Sequence, residues 1–332
     1  NVGWEKAKKF NVGADLSFFN KLRISVDYFN EHREGIFLER GSIPMYVGLS
    51  TKPWVNIGKM RNSGIDASLE YHQPLGKDFH LTVRGNFTYA RNMVVDKDEP
   101  SWKYAYRNAT GQAQYQKFGL VADGLFKDQE DIDSWVKQSF GDVKPGDIKY
   151  VDINGDGIID SYDVKPIGYP DIPEIVYGFG FSLQWKAFDL SAFFQGVAHV
   201  NFSIMNDQTQ PFIARNPKEA GVFADIYNNY WTPDNLDAKY PRLTTGTNPN
   251  NSQLSTFWMV NGRYMRLKNL EIGYTLPKRI ASKIAMQNLR IYLSGVNLLT
   301  FSPFKLWDPD LQTGATNYPN NRIINIGLTI GF

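Results

Sequence analysis

The last ten residues of the chain, 323–332, read IINIGLTIGF and decide the fold class. Isoleucine, leucine or phenylalanine occupies every even position from 324 to 332, and Asn, Gly or Thr occupies every odd position between them. Successive side chains of a β-strand point to opposite faces of the sheet. This period of two therefore predicts a strand with one apolar and one polar face.

The same alternation recurs along the chain. It predicts eight further strands, at 7–19, 22–33, 61–73, 79–93, 173–185, 187–200, 263–276 and 288–300, and it places the last strand at 321–332. Within 263–276 the apolar positions change from odd to even, and a β-bulge near Lys268–Asn269 would explain the change. Strands of about 10–14 residues are long compared with the roughly 5–6 residues that are usual in soluble β proteins.

The connections fall into two length classes that alternate in chain order. Short turns fall at 19–21, 73–78 and 186–187, and the link 277–287 is longer with helical character. Long loops fall at 34–60, 94–172, 201–262 and 301–320. Short turns at one end and long loops at the other are typical of outer-membrane barrels. The scheme requires the strand-like stretch 115–127 to belong to the 94–172 loop, which we expect to be a large extracellular loop.

Aromatic residues cluster at the short-turn ends of the strands. They are Phe18, Phe19, Tyr71, Phe79, Trp185, Phe188, Tyr274 and Phe332. A belt of aromatic side chains at one level is typical of a membrane interface. We therefore predict an all-β fold, an antiparallel transmembrane β-barrel, in which even residues of 324–332 face membrane lipid and odd residues face the lumen.

The strand count indicates that this chain is part of a larger barrel. Nine strands is an odd number, whereas bacterial single-chain barrels have an even number. The chain also opens on Asn1, with neither Met nor a signal peptide. We expect earlier strands outside this chain, so that its first and last strands do not pair with each other.

Composition excludes several classes of protein. The net charge of +2 gives no signal for a nucleic-acid partner. The absence of Cys excludes disulfides, thiolate metal sites and a Cys nucleophile. A mean hydropathy of −0.39, without an apolar run near 18 residues, excludes a helical membrane protein. No catalytic motif is present, so we do not expect an enzyme.

One motif predicts a metal site. Residues 152–163 read DINGDGIIDSYD, which matches the calcium loop D-x-[DN]-x-[DN]-G with an acid at its twelfth position. The predicted ligands of Ca²⁺ are the side chains of Asp152, Asn154, Asp156, Asp160 and Asp163 and the carbonyl of Ile158. Pro and Gly residues flank the loop where an EF-hand has helices, so the expected role is structural. The alternative is an ordinary turn rich in Asp and Gly.

Several stretches taken together resemble one family. They are WEK at 4–6, FNVG at 10–13, RNSGID at 61–66, PGDIKY at 145–150 followed by the calcium-like loop and IG at 167–168, YMRLKNL at 264–270, GYTLP at 273–277, LRIY at 289–292, NL at 297–298 and the final Phe332. The whole chain is similar to the carboxy-terminal part of SusC/RagA-family TonB-dependent outer-membrane transporters of Bacteroidetes.

The resemblance implies a fold, partners and an activity. It implies that residues 1–332 are the last nine strands of a barrel of about 22 strands, whose plug domain and signal peptide lie outside this chain. It also implies a SusD-like surface lipoprotein as a lid and energy from the TonB complex. The expected function is part of an outer-membrane importer of oligosaccharides or peptides, with substrate-binding residues unknown. The alternative that the residues leave open is a secreted, calcium-stabilised β protein that binds glycans.

Overall fold

The computed structural model of the chain describes residues 2–205, 210–211, 221–284, 286–314 and 317–332. Its strands are β1 (Lys6–Phe18), β2 (Leu22–Glu39), β3 (Trp54–Leu75), β4 (Phe79–Asp96), β5 (Lys117–Gly119), β6 (Ala122–Leu125), β7 (Lys137–Gln138), β8 (Ile148–Tyr150), β9 (Ile158–Ile159), β10 (Lys165–Ile167), β11 (Ile175–Trp185), β12 (Phe188–Ala198), β13 (Asn201–Ser203), β14 (Met259–Asn261), β15 (Tyr264–Thr275), β16 (Asn288–Phe301) and β17 (Ile323–Gly331). The α-helices are α1 (Gln129–Ser134), α2 (Ala224–Asn228) and α3 (Lys278–Ala281). In this part of the chain, no helix combines the length and apolar character needed to cross a membrane.

Nine long strands form one antiparallel sheet, in the order β1-β2-β3-β4-β11-β12-β15-β16-β17. The nine strands therefore follow one another in the sheet in the same order as along the chain, and β5–β10, β13 and β14 belong to the connections between them. Strands β1 and β17 lie at opposite edges and do not pair with each other in the described residues. The predicted nine strands and open edges are confirmed, and the stretch 115–127 lies outside the large sheet, as predicted.

The cross-strand register separates an apolar from a polar face. Asp27 pairs with Asp66, and Asp66 with Thr88, so the polar side chains of neighbouring strands share one face. On the opposite face of β17, Ile326 and Leu328 are 83% and 55% exposed. Exposed apolar side chains continue across the sheet on that face: Phe10, Val12, Leu16, Val26, Ile65, Phe87, Phe179, Ile272, Ile291 and Leu293. An apolar surface of this extent indicates contact with another apolar phase.

A β-bulge explains the change of phase in β15. Phe194 of β12 pairs with Leu267 and Phe193 with Asn269, so Lys268 is the extra residue relative to β12. On the other side of β15, Leu267 pairs with Leu299 and Asn269 with Val296, so the extra residue there belongs to β16. The predicted bulge is confirmed, and it keeps the apolar residues on either side of it on one face.

The predicted loop 34–60 is wrong, because the two strands beside it are longer than predicted. Strand β2 continues to Glu39 and β3 begins at Trp54, which leaves only residues 40–53 as the connection. The register shifts on both sides of Ile36, and Gly35 has a φ of 70°. These bulges interrupt the period of two, so the pattern of apolar residues does not reveal the outer parts of the strands.

The aromatic belt lies on the apolar face at the short-turn end. The ring centroids of Trp185 and Phe188 are 6.5 Å apart, and those of Phe188 and Tyr274 are 4.7 Å apart. These rings come from β11, β12 and β15, which are consecutive in the sheet. The link 277–287 at this end contains α3 and the 3₁₀ turn Ser282–Ile284, which confirms its predicted helical character.

Candidate functional site at the loop end of the sheet

Three long connections fold together at the other end of the sheet and form what we call the loop body, which consists of the described residues of 97–174, 199–263 and 302–322. Its buried core takes side chains from all three: Leu120, Ile148, Tyr150 and Ile159, then Phe202, Ile204, Ile226, Tyr240 and Trp258, then Phe304. Buried apolar contacts of this kind are the main source of stability in folded proteins. The long connections are therefore one packed unit and not separate loops.

Asp147 holds two of these connections together from within the core. Its carboxylate is fully buried and accepts hydrogen bonds from the Asn248 and Asn251 side-chain amides, each at 2.9 Å. The Arg242 guanidinium donates to the same group at 3.1 Å, and the Lys144 backbone N–H donates at 2.8 Å. A buried carboxylate needs compensation of this kind, because removal from water strongly disfavours its charge. Sequence reasoning assigned Asp147 no role, since its partners lie about a hundred residues away.

Two buried amide side chains extend the same network. The Asn250 side-chain amide donates to the Ile148 carbonyl at 2.9 Å, and its carbonyl oxygen accepts from Gln138 at 2.6 Å. The Tyr150 hydroxyl donates to the Asn250 backbone carbonyl at 2.8 Å. These bonds satisfy polar groups of β8 that would otherwise be unpaired in an apolar core.

One ion pair ties the base of the loop body to the sheet, and a second lies within that base. Glu174 is almost buried just before β11 and lies 3.4 Å from Arg91 and 3.2 Å from His199. Asp171 pairs with Lys117 at 2.7 Å, and its backbone carbonyl accepts a hydrogen bond from Gln312 at 2.8 Å. The connection between β16 and β17 therefore reaches across to the start of β11.

A cavity of about 530 Å³ opens between the second and third connections of the loop body. Phe304 and Leu306 line its apolar side, and Asp225, Lys239 and Tyr240 line its polar side. Asp225 accepts hydrogen bonds from Lys239 at 2.7 Å and from Tyr240 at 2.6 Å. The hydrogen bond from Lys239 lowers the pKa of Asp225, and burial raises the pKa of Tyr240 to about 12. An apolar wall with a few polar groups is typical of small-ligand sites.

The six residues predicted to bind calcium lie in one compact turn of the loop body. Asp152 accepts hydrogen bonds from the backbone N–H groups of Gly155 at 2.7 Å and Gly157 at 2.9 Å. Asn154 and Asp156 accept from backbone N–H groups two residues further on, at 2.8 and 3.1 Å. The positive φ angles of Gly155 and Gly157 allow the chain to turn this sharply.

The other predicted ligands close the turn. Asp163 is buried, and its two carboxylate oxygens accept from the backbone N–H groups of Ile153 at 2.7 Å and Asp160 at 2.8 Å. Asp160 accepts from Tyr162 at 2.6 Å, and Ile158 lies in β9, which pairs with β7. In the part of the chain that the structure describes, no three His, Asp or Glu side chains are arranged to hold a metal ion. Calcium binding therefore stays a prediction.

The polar face of the sheet carries charges that pair with one another. Arg290 of β16 donates hydrogen bonds to Asp189 of β12 and Glu271 of β15, with Nε 3.1 Å from Asp189. Arg84 donates to Glu70 at 2.9 Å, and Thr88 donates to Asp66 at 2.7 Å. One face of the sheet is thus apolar and ends in an aromatic belt, while the other is polar and ion-paired. This combination defines the class of protein as an outer-membrane β-barrel.

Comparison with known proteins gives the family. The profile of the family "TonB dependent receptor-like, beta-barrel" matches residues 1–298. The chain belongs to this family, whose members are bacterial outer-membrane proteins, and its location is the outer membrane.

Named relatives agree with the family. TonB-dependent receptor P3 of Formosa agariphila is 30% identical over all of this chain and 34% of its own length. TonB-dependent receptor SusC of Bacteroides thetaiotaomicron is 26% identical, again over all of this chain and 32% of its own length. The chain therefore spans about a third of the length of the relatives that it matches. These relatives are receptors, which confirms that the chain is not an enzyme.

Solved structures agree with the fold. The RagAB peptide importer in its open-open state superposes with a TM-score of 0.75 at 24% identity, covering 100% of this chain and 35% of that one. The matches to SusC and RagAB confirm the SusC/RagA resemblance found in the sequence.

Proposed function

We propose that the chain forms the carboxy-terminal part of the barrel of a TonB-dependent importer, with the rest of the barrel and a plug supplied from outside residues 1–332. The observation that carries this proposal is the open nine-stranded sheet with one apolar and one ion-paired face. The unpaired edges of β1 and β17 would each hydrogen-bond to another strand of the complete barrel, because closure removes exposed edges. The apolar face also argues against the secreted, glycan-binding alternative, which would have to leave that surface in water.

The loop body is proposed to be extracellular and the short turns periplasmic. Long loops on the outside and short turns inside are the rule for such barrels. Residues 1–332 contain no Cys, so this orientation can be tested with single introduced Cys residues, with the protein that lacks them labelled in parallel as the background.

We expect a membrane-impermeant maleimide to label Lys137→Cys in intact cells. Lys137 lies on the exposed surface of the loop body. The matched variant Lys77→Cys places the thiol in an exposed short turn and should be labelled only after the cells are broken. The reverse pattern would refute the proposed orientation.

The importer is proposed to take up oligosaccharides or peptides together with a SusD-like lipoprotein, with energy from TonB. The similarity to SusC and the fold shared with the RagAB peptide importer support this proposal. The cavity beside Asp225 and Lys239 gives the outer face a place where a polar ligand could bind.

Uptake by whole cells tests the activity. Cells that contain the complete protein should accumulate at least one member of a panel of labelled oligosaccharides and peptides, and a deletion strain should not. A protonophore should abolish accumulation, because TonB transmits energy from the proton gradient. Uptake that survives the protonophore would contradict dependence on TonB.

Calcium is proposed to bind at Asp152, Asn154, Asp156, Ile158, Asp160 and Asp163 and to stiffen the loop body. Their oxygens are the hard donors that Ca²⁺ prefers. Four carboxylates within twelve residues repel one another unless a cation or hydrogen bonds compensate. The backbone N–H groups already offset part of the repulsion among these carboxylates, and a bound ion would offset more of it.

We expect calorimetric titration with Ca²⁺ to reveal one site, which Asp152→Ala together with Asp156→Ala removes. At about 100 times the dissociation constant, the ion should stabilise the loop body by about 2.7 kcal/mol. Proteolysis of residues 97–174 should therefore be faster in chelator. The control is Asp142→Ala, an exposed acid of the same connection. If the wild-type protein releases no heat, the run of Asp and Gly is an ordinary turn.

A further inference from the structure

Basic side chains are concentrated in the turns at the short-turn end of the sheet. The turns 19–21, 76–78, 186–187 and 276–287 contain six Lys or Arg residues and one acid, Asp78. We call the six the turn cations: Lys21, Lys77, Lys186, Lys278, Arg279 and Lys283. At the other end, residues 97–174 contain nine Lys or Arg residues against fifteen Asp or Glu residues. The connections 40–53, 97–174, 199–263 and 302–322 together contain eighteen Lys or Arg residues against twenty-two Asp or Glu residues, so the two ends of the sheet carry net charges of opposite sign.

The turn cations lie next to the aromatic belt. Lys186 follows Trp185 directly, and its Nζ lies 5.6 Å from the centre of that ring. Lys77 and Lys21 are each two residues from an aromatic residue, Phe79 and Phe19. Aromatic side chains of a barrel mark the depth of the lipid headgroups. The cations are therefore at or just beyond headgroup depth.

The turn cations are not neutralised by the protein itself. None of the six forms an ion pair within the described residues, although Lys9, Lys117 and Lys149 elsewhere in the chain do. Lys21 donates only to the neutral amide oxygen of Gln73, at 3.4 Å. All six side chains are exposed. Their charge is available to a ligand outside the chain.

We propose that the turn cations bind the phosphate groups of anionic glycerophospholipids. Ammonium and guanidinium groups pair with phosphate through charge-assisted hydrogen bonds, and the headgroup layer holds phosphate at the depth of the turns. Their spread over four turns suits several small headgroups along a rim better than one compact ligand. That these lipids belong to the periplasmic leaflet rests on the orientation given under the proposed function.

Lipid competition in detergent tests the proposal with the complete purified protein. The protein is incubated with equal amounts of phosphatidylglycerol and phosphatidylcholine, and the retained lipids are counted by native mass spectrometry. Each basic residue near an anionic surface favours binding by about fivefold. We therefore expect the wild-type protein to retain phosphatidylglycerol at least about tenfold over phosphatidylcholine.

A triple variant tests whether the turn cations cause this lipid preference. Lys21→Gln, Lys77→Gln and Lys186→Gln together should lower this preference at least about fivefold. The matched control removes three exposed lysines of the loop body, Lys127→Gln, Lys137→Gln and Lys144→Gln, and should keep the preference. In the wild-type protein, about 1 M salt should also abolish the preference, because the screening length falls to about 3 Å.

Equal retention of the two lipids by the wild-type protein, or an equal effect of the two triple variants, would overturn the proposal. The first result would favour an acidic protein segment as the partner of the turns. Neither result depends on orientation or transport, because both are measured in detergent. Failure of the proposed function would instead appear in maleimide labelling and uptake.

Discussion

Asp147→Ala should destabilise the loop body by about 3–5 kcal/mol, the usual result of removing one partner from a buried charge pair. The substitution leaves Arg242 without its carboxylate, and it leaves the Asn248 and Asn251 amides without an acceptor inside the core. Both consequences act on the contact between the first and second connections. We therefore expect these connections to separate while the nine-stranded sheet stays folded.

Amide hydrogen exchange measures this local opening, because each region reports its own free energy. Residues 97–174 and 199–263 should exchange faster in Asp147→Ala, and β2, β3 and β4 should not change. Asp142→Ala provides the control, since Asp142 is an exposed acid five positions earlier, and it should change stability by less than about 0.5 kcal/mol. Unchanged exchange in Asp147→Ala would show that the buried network does not hold the connections together.

Leu328→Arg should destabilise the membrane-inserted barrel by about 2–4 kcal/mol, the range for a basic residue facing lipid near the midplane. Leu328 is on the apolar face of β17, four residues from the final Phe332 in the aromatic belt. With a tilted strand, this spacing puts Leu328 about 10 Å inside the headgroup region. The guanidinium would have to leave water for hydrocarbon at that depth.

The register identifies the best control for this substitution. Thr329 is on the polar face, but it pairs directly with Arg290, so an Arg at that position would add like-charge repulsion. Asn325 is on the same polar face and pairs with Ser294. Asn325→Arg should therefore be tolerated. Denaturant unfolding of the two variants in lipid bilayers gives the free energy of unfolding of each. A larger loss of stability in Asn325→Arg than in Leu328→Arg would reverse the assignment of the faces.

The sheet could be predicted because its information is local. Alternation within β17 requires only nine neighbouring residues, and the phase change in β15 marks the bulge at Lys268 relative to β12. The outer half of the β2–β3 hairpin could not be predicted, because bulges beside Ile36 remove the alternation there. A long strand above the membrane also has no lipid-facing side to enforce that pattern.

The loop body could not be predicted, because its contacts are distant in sequence. The bond between Gln138 and Asn250 spans 112 residues, and that between Asp147 and Asn251 spans 104. Tryptophans illustrate the difficulty, because an aromatic residue in a predicted long loop can either contact a ligand or pack against other loops. Trp258 is buried in the core, whereas Trp54 is half exposed. The Asp-rich turn could be predicted, because its residues are contiguous in sequence.

The shared core of the loop body bears on how such a barrel could admit a large solute. Three connections emerge from β4, β12 and β16, and none can move away alone without removing its side chains from the shared core. The first two are also joined by the Asp147 network. The part of the rim that these connections form is therefore expected to move as one rigid unit. Under the proposed function, the part that moves to open the entrance is therefore expected outside this chain, either on the remaining strands or on the proposed lipoprotein lid.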